Sequence, residues 1–179
     1  MEFINGEVIV HSPVKKAHND ISTNLVKLLD TYVTKHDLGF VGYEKIMIRL
    51  TRNDYEPDVC YFNKEQSDTF DDRTSLFPAP QLAIEIGSKK TIDRDRGIKY
   101  QDYQRHGVLE YWIIIPEDYS VEQYILDKET AAYKLLKKSD SGLLQVATIP
   151  KLSFPIECIF DKQLAQKEML RILMDTSSI

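Results

Sequence analysis

The first forty residues combine two hydrophobic patterns. Asn5-Gly6 separates the short apolar segments Phe3-Ile4 and Val8 to Val10, which predicts a β-hairpin, because a type I′ turn needs positive φ at both central residues. After Ser12-Pro13, which suits the N-cap and first turn of a helix, apolar residues recur at helical spacing until Gly39. We therefore expect a hairpin followed by one long helix.

The segment from Phe40 to Leu50 has the two-residue period of a strand. Glu44 shares the face of Ile48, so one strand is expected to carry a carboxylate in line with its apolar face. A second strand is predicted over Pro57 to Phe62, because proline is tolerated at the first position of a strand. The polar stretch Asn63 to Pro80 is expected to form a loop.

A strand, a helix and another strand follow one another in the middle of the chain. Gln81 to Ile86 is a short apolar strand with one charge, and Asp93 to His106 is predicted to be helical, with Gly107 ending the helix. Leu109 to Ile115 is apolar on both faces after Glu110, which is typical of a fully buried strand. This order favours a parallel or mixed central sheet.

The C-terminal third predicts a β-meander and a helix. The meander strands are Val121 to Leu126, Ala131 to Leu136 and Leu143 to Ile149. The helix, Asp161 to Met174, has apolar side chains that need a partner surface, namely Leu164, Leu170, Leu173 and Met174. That surface lies either within the same chain or on a second copy, so a homodimer is one expectation.

These patterns indicate an α/β (α+β) fold with a central mixed β-sheet flanked by helices, an N-terminal hairpin and a C-terminal meander plus helix. The chain has 179 residues, of which 42% are apolar and 28% charged, and this is an ordinary globular composition. No internal repeat or linker divides it. We therefore expect a single domain over residues 1–179.

Charge and apolar content exclude several functional classes. The net charge of −5 argues against a protein that coats nucleic acid through bulk electrostatics, although an enzyme that needs only a local phosphate contact is not excluded. Apolar runs such as Tyr111 to Ile115 are far shorter than the roughly 20 residues of a membrane span. No secretory signal precedes the hairpin, and Cys60 and Cys158 suit buried reduced thiols, so a cytoplasmic location is expected.

Two carboxylates on predicted strands are the first candidates for chemistry. Asp58 follows a proline at the start of a strand, and Glu85 stands between Ile84 and Ile86. A carboxylate buried in this way is costly unless it is paired, hydrogen-bonded or bound to a cation. If the two strands are neighbours, both acids can converge on Mg²⁺ or Mn²⁺. The alternative for Asp58 is a turn residue that binds backbone amides.

The helix after Glu85 adds basic groups. Asp95 and Lys99 are four residues apart and share one helical face, where an ammonium near Glu85 can lower the pKa of water or stabilise a phosphate transition state. The alternative is an ordinary solvated ion pair. The surrounding segment is locally basic, and its candidates for phosphate contact are Lys89, Lys90, Arg94 and Arg96.

The motifs occur in an order that resembles a known family. They are Asn5-Gly6-Glu7, His18, Glu56-Pro57-Asp58, Ala83 to Ser88, Thr91, Asp95, Lys99, Tyr103 and Gly107 to Ile114. Taken together, they are similar to the bacterial Uma-two family, which consists of endonuclease-like proteins of the PD-(D/E)XK, or restriction-endonuclease-like, fold. The resemblance extends over roughly residues 3 to 160 and leaves 161 to 179 as a C-terminal helix.

The resemblance implies roles for individual residues. The family's proline–aspartate falls on Pro57-Asp58, and its second metal-binding acid falls on Glu85. The superfamily lysine would fall on Gly87, so the resemblance implies that Lys99 on the following helix supplies the amine. It also implies that Glu44 is an additional acid near the site and that Glu7 and His18 line the same cleft.

The leading expectation is a metal-dependent endonuclease that hydrolyses DNA phosphodiester bonds through Asp58, Glu85 and Lys99, with Mg²⁺ or Mn²⁺ as cofactor. One alternative is a catalytically inactive domain of the nuclease fold that acts as a binding or structural subunit. It would be favoured if the acids were locked in salt bridges with Arg94 or Arg96. Another alternative is a hydrolase acting on a different phosphate ester, since the same acids and metal would serve it.

Overall fold

The computed structural model describes residues 1–10, 13–88 and 91–176. Strands β1 (Glu2–Ile4) and β2 (Glu7–Ile9) form the predicted hairpin, and both turn residues, Asn5 and Gly6, have positive φ. Helix α1 (Lys16–Lys35) begins later than expected, because its N-cap Lys15 is extended. Ser12, the expected cap, lies outside the described residues.

The single strand expected from Phe40 to Leu50 is wrong. The segment forms two strands, β3 (Gly39–Tyr43) and β4 (Met47–Arg49), which belong to different sheets. Glu44 and Lys45 between them are left-handed, with φ of 44° and 61°. Two consecutive left-handed residues redirect the chain, and Glu44 therefore lies in an exposed turn instead of on a strand face.

The stretch expected to be a loop contains short elements. Strands β5 (Asp54–Tyr55) and β6 (Val59–Asn63) precede it, and it contains helix α2 (Lys64–Ser67) and strand β7 (Leu76–Phe77). The helix begins there because Asn63 and Gln66 form a capping box.

The middle of the chain forms the expected strand, helix and strand. β8 (Leu82–Ile86) and β9 (Glu110–Ile115) pair in parallel, whereas β6 and β8 pair antiparallel, so the central sheet is mixed as predicted. The helical segment between them is divided into α3 (Ile92–Arg94), a π-helix (Asp95–Lys99) and α4 (Tyr100–Arg105).

Beyond a short 3₁₀ helix (Pro116–Asp118), strands β10 (Ser120–Asp127) and β11 (Ala132–Ser139) form a hairpin. The third meander strand does not join it. β12 (Leu143–Gln145) pairs with β13 (Ser153–Pro155) because the chain leaves the sheet at the turn before Gly142, whose φ is positive. Helices α5 (Glu157–Phe160) and α6 (Lys162–Met174) follow, with Asp161 as the N-cap of α6.

Two main sheets carry the fold. The central sheet has the strand order β11-β10-β9-β8-β6-β3, and the smaller one has the order β2-β1-β5-β4-β7. An aliphatic core lies between the central sheet and helices α1, α5 and α6. A second core, rich in tyrosine, lies on the opposite face of the central sheet, under the smaller sheet and the π-helical segment. Within the described residues, none of the helices is both long enough and apolar enough to cross a membrane.

Helix α6 packs on α1 through a narrow stripe. Ala165 and Ile172 are buried, whereas the four apolar residues singled out from the sequence, Leu164, Leu170, Leu173 and Met174, are exposed. The homodimer stays a prediction.

Candidate active site

Strand β8 places Glu85 in the interior of the protein. Leu82, Ile84 and Ile86 point into the aliphatic core, so the alternation of a strand directs Ala83 and Glu85 to the tyrosine-rich face. The Glu85 residue is only 4% exposed. A carboxylate at this depth must find partners within the protein.

Both oxygens of Glu85 accept hydrogen bonds. Oε2 accepts from the ammonium of Lys99 at 2.8 Å, and Oε1 accepts from the hydroxyl of Tyr103 at 3.0 Å. Burial raises the pKa of Glu85 well above its usual value; the charge of Lys99 opposes this shift, and the neighbouring carboxylates of Asp95, Asp58 and Glu2 reinforce it. Several carboxylates therefore lie close together around a buried position, which disfavours the charged form of Glu85.

Lys99 lies among three carboxylates. Its Nζ is 2.7 Å from Glu2 Oε1, 2.8 Å from Glu85 Oε2 and 3.9 Å from Asp95 Oδ1. Burial lowers the pKa of Lys99, but the charges of Glu85, Glu2 and Asp95 outweigh it and raise the pKa overall. The side chain thus stays an ammonium, and it also lies 5.7 Å from the ring centroid of Tyr55.

The π-helix positions Asp95 and Lys99 on the same side of the segment. Burial raises the pKa of Asp95 to about 6, against the opposing effects of Lys99 and of a hydrogen bond from Thr91. Single-turn π segments often occur at functional sites, because they change which side chains face inward. Here the segment turns the Asp95 carboxylate and the Lys99 ammonium towards Glu85.

Residue 87, where the superfamily lysine would fall, has little room for a side chain. A Cβ built on Gly87 would lie 3.1 Å from Cδ1 of Ile92 and 3.6 Å from Oδ2 of Asp95. A side chain at this position would require Cδ1 of Ile92 to move by a few tenths of an ångström. Gly87 itself supplies no amine, and the amine beside Glu85 is that of Lys99.

Asp58 lies just before β6, at the end of β8 that carries Glu85. Its Oδ2 accepts a hydrogen bond from the backbone amide of Ile86 at 2.6 Å, and its Oδ1 is 3.0 Å from Nε2 of His18. Burial lowers the pKa of His18, but the hydrogen bond to Asp58 and the charges of Asp58 and Glu44 raise it more. The Asp58 side chain is 25% exposed, so it forms the solvent-accessible side of the cluster.

The fold brings most of the predicted site residues together. Asp58, Glu85, Asp95 and Lys99 form one cluster, His18 contacts Asp58, and Glu44 lies in the exposed turn close enough to influence His18 electrostatically. Glu7 is exposed on the edge strand β2.

The predicted phosphate-contact residues differ in their surroundings. Arg96 forms a bidentate ion pair with Glu122 on β10. The side chain of Arg94 is 31% exposed, and its NH1 is 3.9 Å from Glu2. Lys89 and Lys90 lie outside the described residues. Neither arginine pairs with Glu85, whose cationic partner is Lys99: Arg94 lies near Glu2, and Arg96 pairs with Glu122.

Two residues of the cluster were not assigned a role from the sequence. Glu2 is the carboxylate that the hairpin contributes, and Tyr103 is the hydroxyl on Glu85. The alternation of β1 carried a signal for Glu2, because Glu2 and Ile4 share the buried face while Phe3 is exposed. Tyr103 belongs to the motifs that resemble the family, but its pattern alone gave it no role beyond the core, since an aromatic residue on an amphipathic helix indicates a core position.

The donor set suits a hard cation. Asp58 and Glu85 could supply oxygen ligands, and Mg²⁺ usually takes one or two protein carboxylates together with water and phosphate oxygens. In the part of the chain that the structure describes, no group of three or more His, Cys, Asp or Glu side chains is arranged to hold a metal.

Comparisons with known proteins identify the family and the fold. A family model described as "Uma2: Putative restriction endonuclease" matches residues 1–157. The chain is 27% identical over 125 residues to the uncharacterized protein sll1609 of Synechocystis, a match that covers 69% of this chain and 70% of that protein. The crystal structure of a "putative nuclease belonging to DUF820" from Anabaena variabilis has a similar fold, with a TM-score of 0.75 and 18% identity over 89% of this chain and 88% of that one. The resemblance found from the sequence is confirmed, and the chain belongs to the Uma2 family of restriction-endonuclease-like proteins.

Proposed function

We propose that this protein is a metal-dependent endonuclease that hydrolyses DNA phosphodiester bonds. The observation that carries the proposal is the junction of Asp58 and Glu85 at one end of β8. The amide of Ile86 binds Asp58 at 2.6 Å, and Lys99 binds the adjacent Glu85 at 2.8 Å. Two acids and one amine are thus held together by a backbone contact and a side-chain contact at one end of β8.

Each residue of this group has a role that its environment supports. Asp58 and Glu85 would hold Mg²⁺ or Mn²⁺, and the bound cation would activate water and offset phosphate charge. Lys99 stays protonated because its pKa is raised, so we assign it to charge stabilisation and not to proton abstraction. Asp95 is a supporting acid that helps to hold the ammonium in place.

Substrate phosphate needs positive charge near the acids, and the chain as a whole carries −5. Arg94 is one described candidate, because its side chain is partly exposed and lies close to the site. Arg96 is less available, because Glu122 occupies its guanidinium. We propose that phosphate contact is local and limited to this helical segment, together with Lys89 and Lys90.

A second candidate function rests on the occupation of Glu85. Both of its oxygens already accept hydrogen bonds, and the cation on one of them is Lys99. A nuclease-fold domain that has lost activity and serves as a binding or structural subunit would keep this ion pair permanently, and no divalent cation would bind to Glu85. The two functions differ in whether a divalent cation can bind beside Lys99.

The test is a calorimetric titration of the metal-free protein with Mn²⁺, followed by incubation of supercoiled and linear DNA with the protein and either cation. Asp58→Asn should abolish saturable binding and cleavage while the protein stays folded. Asp54→Asn is the matched control, because Asp54 has a similar exposure and pairs with Arg49 outside the site. The control should behave like the natural chain.

Three results would contradict the proposal or change it. A folded Asp58→Asn variant that binds Mn²⁺ with unchanged affinity would remove Asp58 from the site. No binding and no cleavage by the natural chain, with DNA present, would favour the inactive domain. Cleavage of bis(4-nitrophenyl) phosphate without cleavage of DNA would favour a hydrolase acting on another phosphate ester.

A further inference from the structure

Glu2 joins the smaller sheet to the candidate active site. It lies on β1, its side chain is fully buried, and its Oε1 is 2.7 Å from Nζ of Lys99. The same oxygen accepts a hydrogen bond from the amide of Glu56 at 3.1 Å, which fixes the carboxylate on the small sheet. The ammonium is therefore held between two sheets, by Glu2 on one side and by Glu85 on the other.

In this arrangement the ammonium of Lys99 interacts with two carboxylates at once, those of Glu2 and Glu85. An ammonium that paired with Glu85 alone would neutralise it, and a divalent cation would then have to displace Lys99 before it could bind. Glu2 is as close to the ammonium as Glu85 is, at 2.7 Å against 2.8 Å. Negative charge on Glu85 therefore remains available for a second cation.

We propose that Glu2 is a positioning residue: it draws the ammonium of Lys99 partly away from Glu85 and so leaves Glu85 able to share a divalent cation with Asp58. The inference rests on the proposed function, because it concerns the same acids. Glu2 acts through Lys99 and is not itself a ligand. This distinguishes it from an acid that attracts the cation by its own charge.

A double-mutant cycle on Mn²⁺ affinity separates these two modes of action. Glu2→Gln and Lys99→Met are made singly and together, and each chain is titrated with Mn²⁺ by calorimetry. In the presence of Lys99, Glu2→Gln should weaken binding about tenfold, because Glu85 is then the one charged group of the cluster within hydrogen-bond distance of the ammonium, and Asp95 lies farther away at 3.9 Å. With methionine at position 99, the same change should alter the affinity by less than about threefold, since there is no ammonium left to position.

Glu122→Gln is the matched control. Glu122 is a buried strand carboxylate that pairs with Arg96 of the same π-helix, but outside the cluster. Glu122→Gln should lose the ion pairs with Arg96 and with Lys138 and leave Mn²⁺ affinity unchanged. Circular dichroism and thermal unfolding establish that each variant is folded at the titration temperature, so that a general loss of structure is not mistaken for positioning.

The outcomes distinguish this inference from the proposed function. An equal effect of Glu2→Gln in both backgrounds would overturn the inference, because Glu2 would then act on the cation directly, and would leave the proposed function intact. No effect of Glu2→Gln in the presence of Lys99 would overturn the inference as well. Binding of Mn²⁺ to none of the four chains would remove the proposed site and this inference together.

Discussion

Glu85 and Glu110 are both buried glutamates on the adjacent parallel strands β8 and β9, but they face opposite sides of the central sheet. Oε1 of Glu110 accepts from Trp112 Nε1 and Gln123 Nε2, each at 2.7 Å. Its Oε2 accepts from the amide and the hydroxyl of Thr148, each at 2.8 Å. All four donors are neutral groups, and together they fasten the segment before β13 to the sheet.

Glu85 has a different environment at similar burial. It has one cation and one hydroxyl as partners, and the charges of Asp58, Asp95 and Glu2 act on it. Burial of a carboxylate therefore does not by itself mark a functional site, since Glu110 is buried and fully hydrogen-bonded. Glu85 differs in that three neighbouring carboxylates act on it besides the Lys99 ammonium, an accumulation of like charge that networks serving only stability normally avoid.

The largest effect that would sharpen this comparison is expected at Glu110. Glu110→Gln should lower the free energy of unfolding by about 4 kcal/mol, because the amide nitrogen faces two donors in place of an acceptor. Guanidinium unfolding measures the loss. Cleavage or Mn²⁺ binding per folded molecule should be unchanged, and a selective loss of either would contradict the assignment of Glu110 to structure alone.

Glu85→Gln should have the opposite effect: activity should fall and stability should hardly change. Cleavage is expected to fall at least about 100-fold, which corresponds to about 2.7 kcal/mol. Stability should change by less than about 1 kcal/mol, because the amide oxygen can accept from Lys99 while the amide nitrogen donates to the Tyr103 hydroxyl, which can accept as well as donate. Initial rates and thermal unfolding are measured on the same preparation. Unchanged turnover in the variant would remove the functional distinction between the two glutamates.

The pH dependence of stability at Asp95 measures how unfavourable the cluster is for a further negative charge. Burial raises its pKa from 3.8 to about 6, so the folded state binds this proton more tightly than the unfolded chain does. Its contribution to stability is therefore fully present below pH 3.8 and is lost as the pH rises through 6. Between these values the natural chain should lose about 2 to 3 kcal/mol relative to Asp95→Asn.

Denaturant unfolding from pH 4 to pH 7 measures this difference. Asp93→Asn is the control, because Asp93 is exposed on the same helical segment two residues away. That variant should follow the natural chain at every pH. Parallel curves for the natural chain and Asp95→Asn would show that Asp95 is not held in an environment unfavourable to its charge.

The smallest effect is expected at the hydroxyl that binds Glu85. Tyr103→Phe removes the 3.0 Å hydrogen bond to Oε1 and keeps the ring among its aromatic neighbours. Stability should fall by about 1 to 2 kcal/mol, and activity should fall less than about tenfold, because Lys99 still orients Glu85. Thermal unfolding and initial rates check both values. A loss of activity as large as that of Glu85→Gln would make Tyr103 part of the catalytic group.

Much of the fold could be predicted from local patterns. Asn5-Gly6 has the chemistry of its turn, and the apolar strand β9 has the composition of a strand covered on both faces. The split between β3 and β4 could not be predicted, because Glu44 and Lys45 are ordinary residues held in left-handed conformations by the surrounding chain. The pairing of β12 with β13 depends on distant contacts in the same way.

The sequence by itself determined which acids are costly to bury, since a charge between Ile84 and Ile86 on a strand has few ways to reach water. It also placed Asp95 and Lys99 on one helical face and suggested that Lys99 replaces a lysine at Gly87. Only the tertiary structure decided that Glu2 completes the surroundings of Lys99 and that Glu110 needs no cation. Hairpins and helical spacing arise from neighbouring residues, whereas the partners of a buried charge come from elements far apart in the chain.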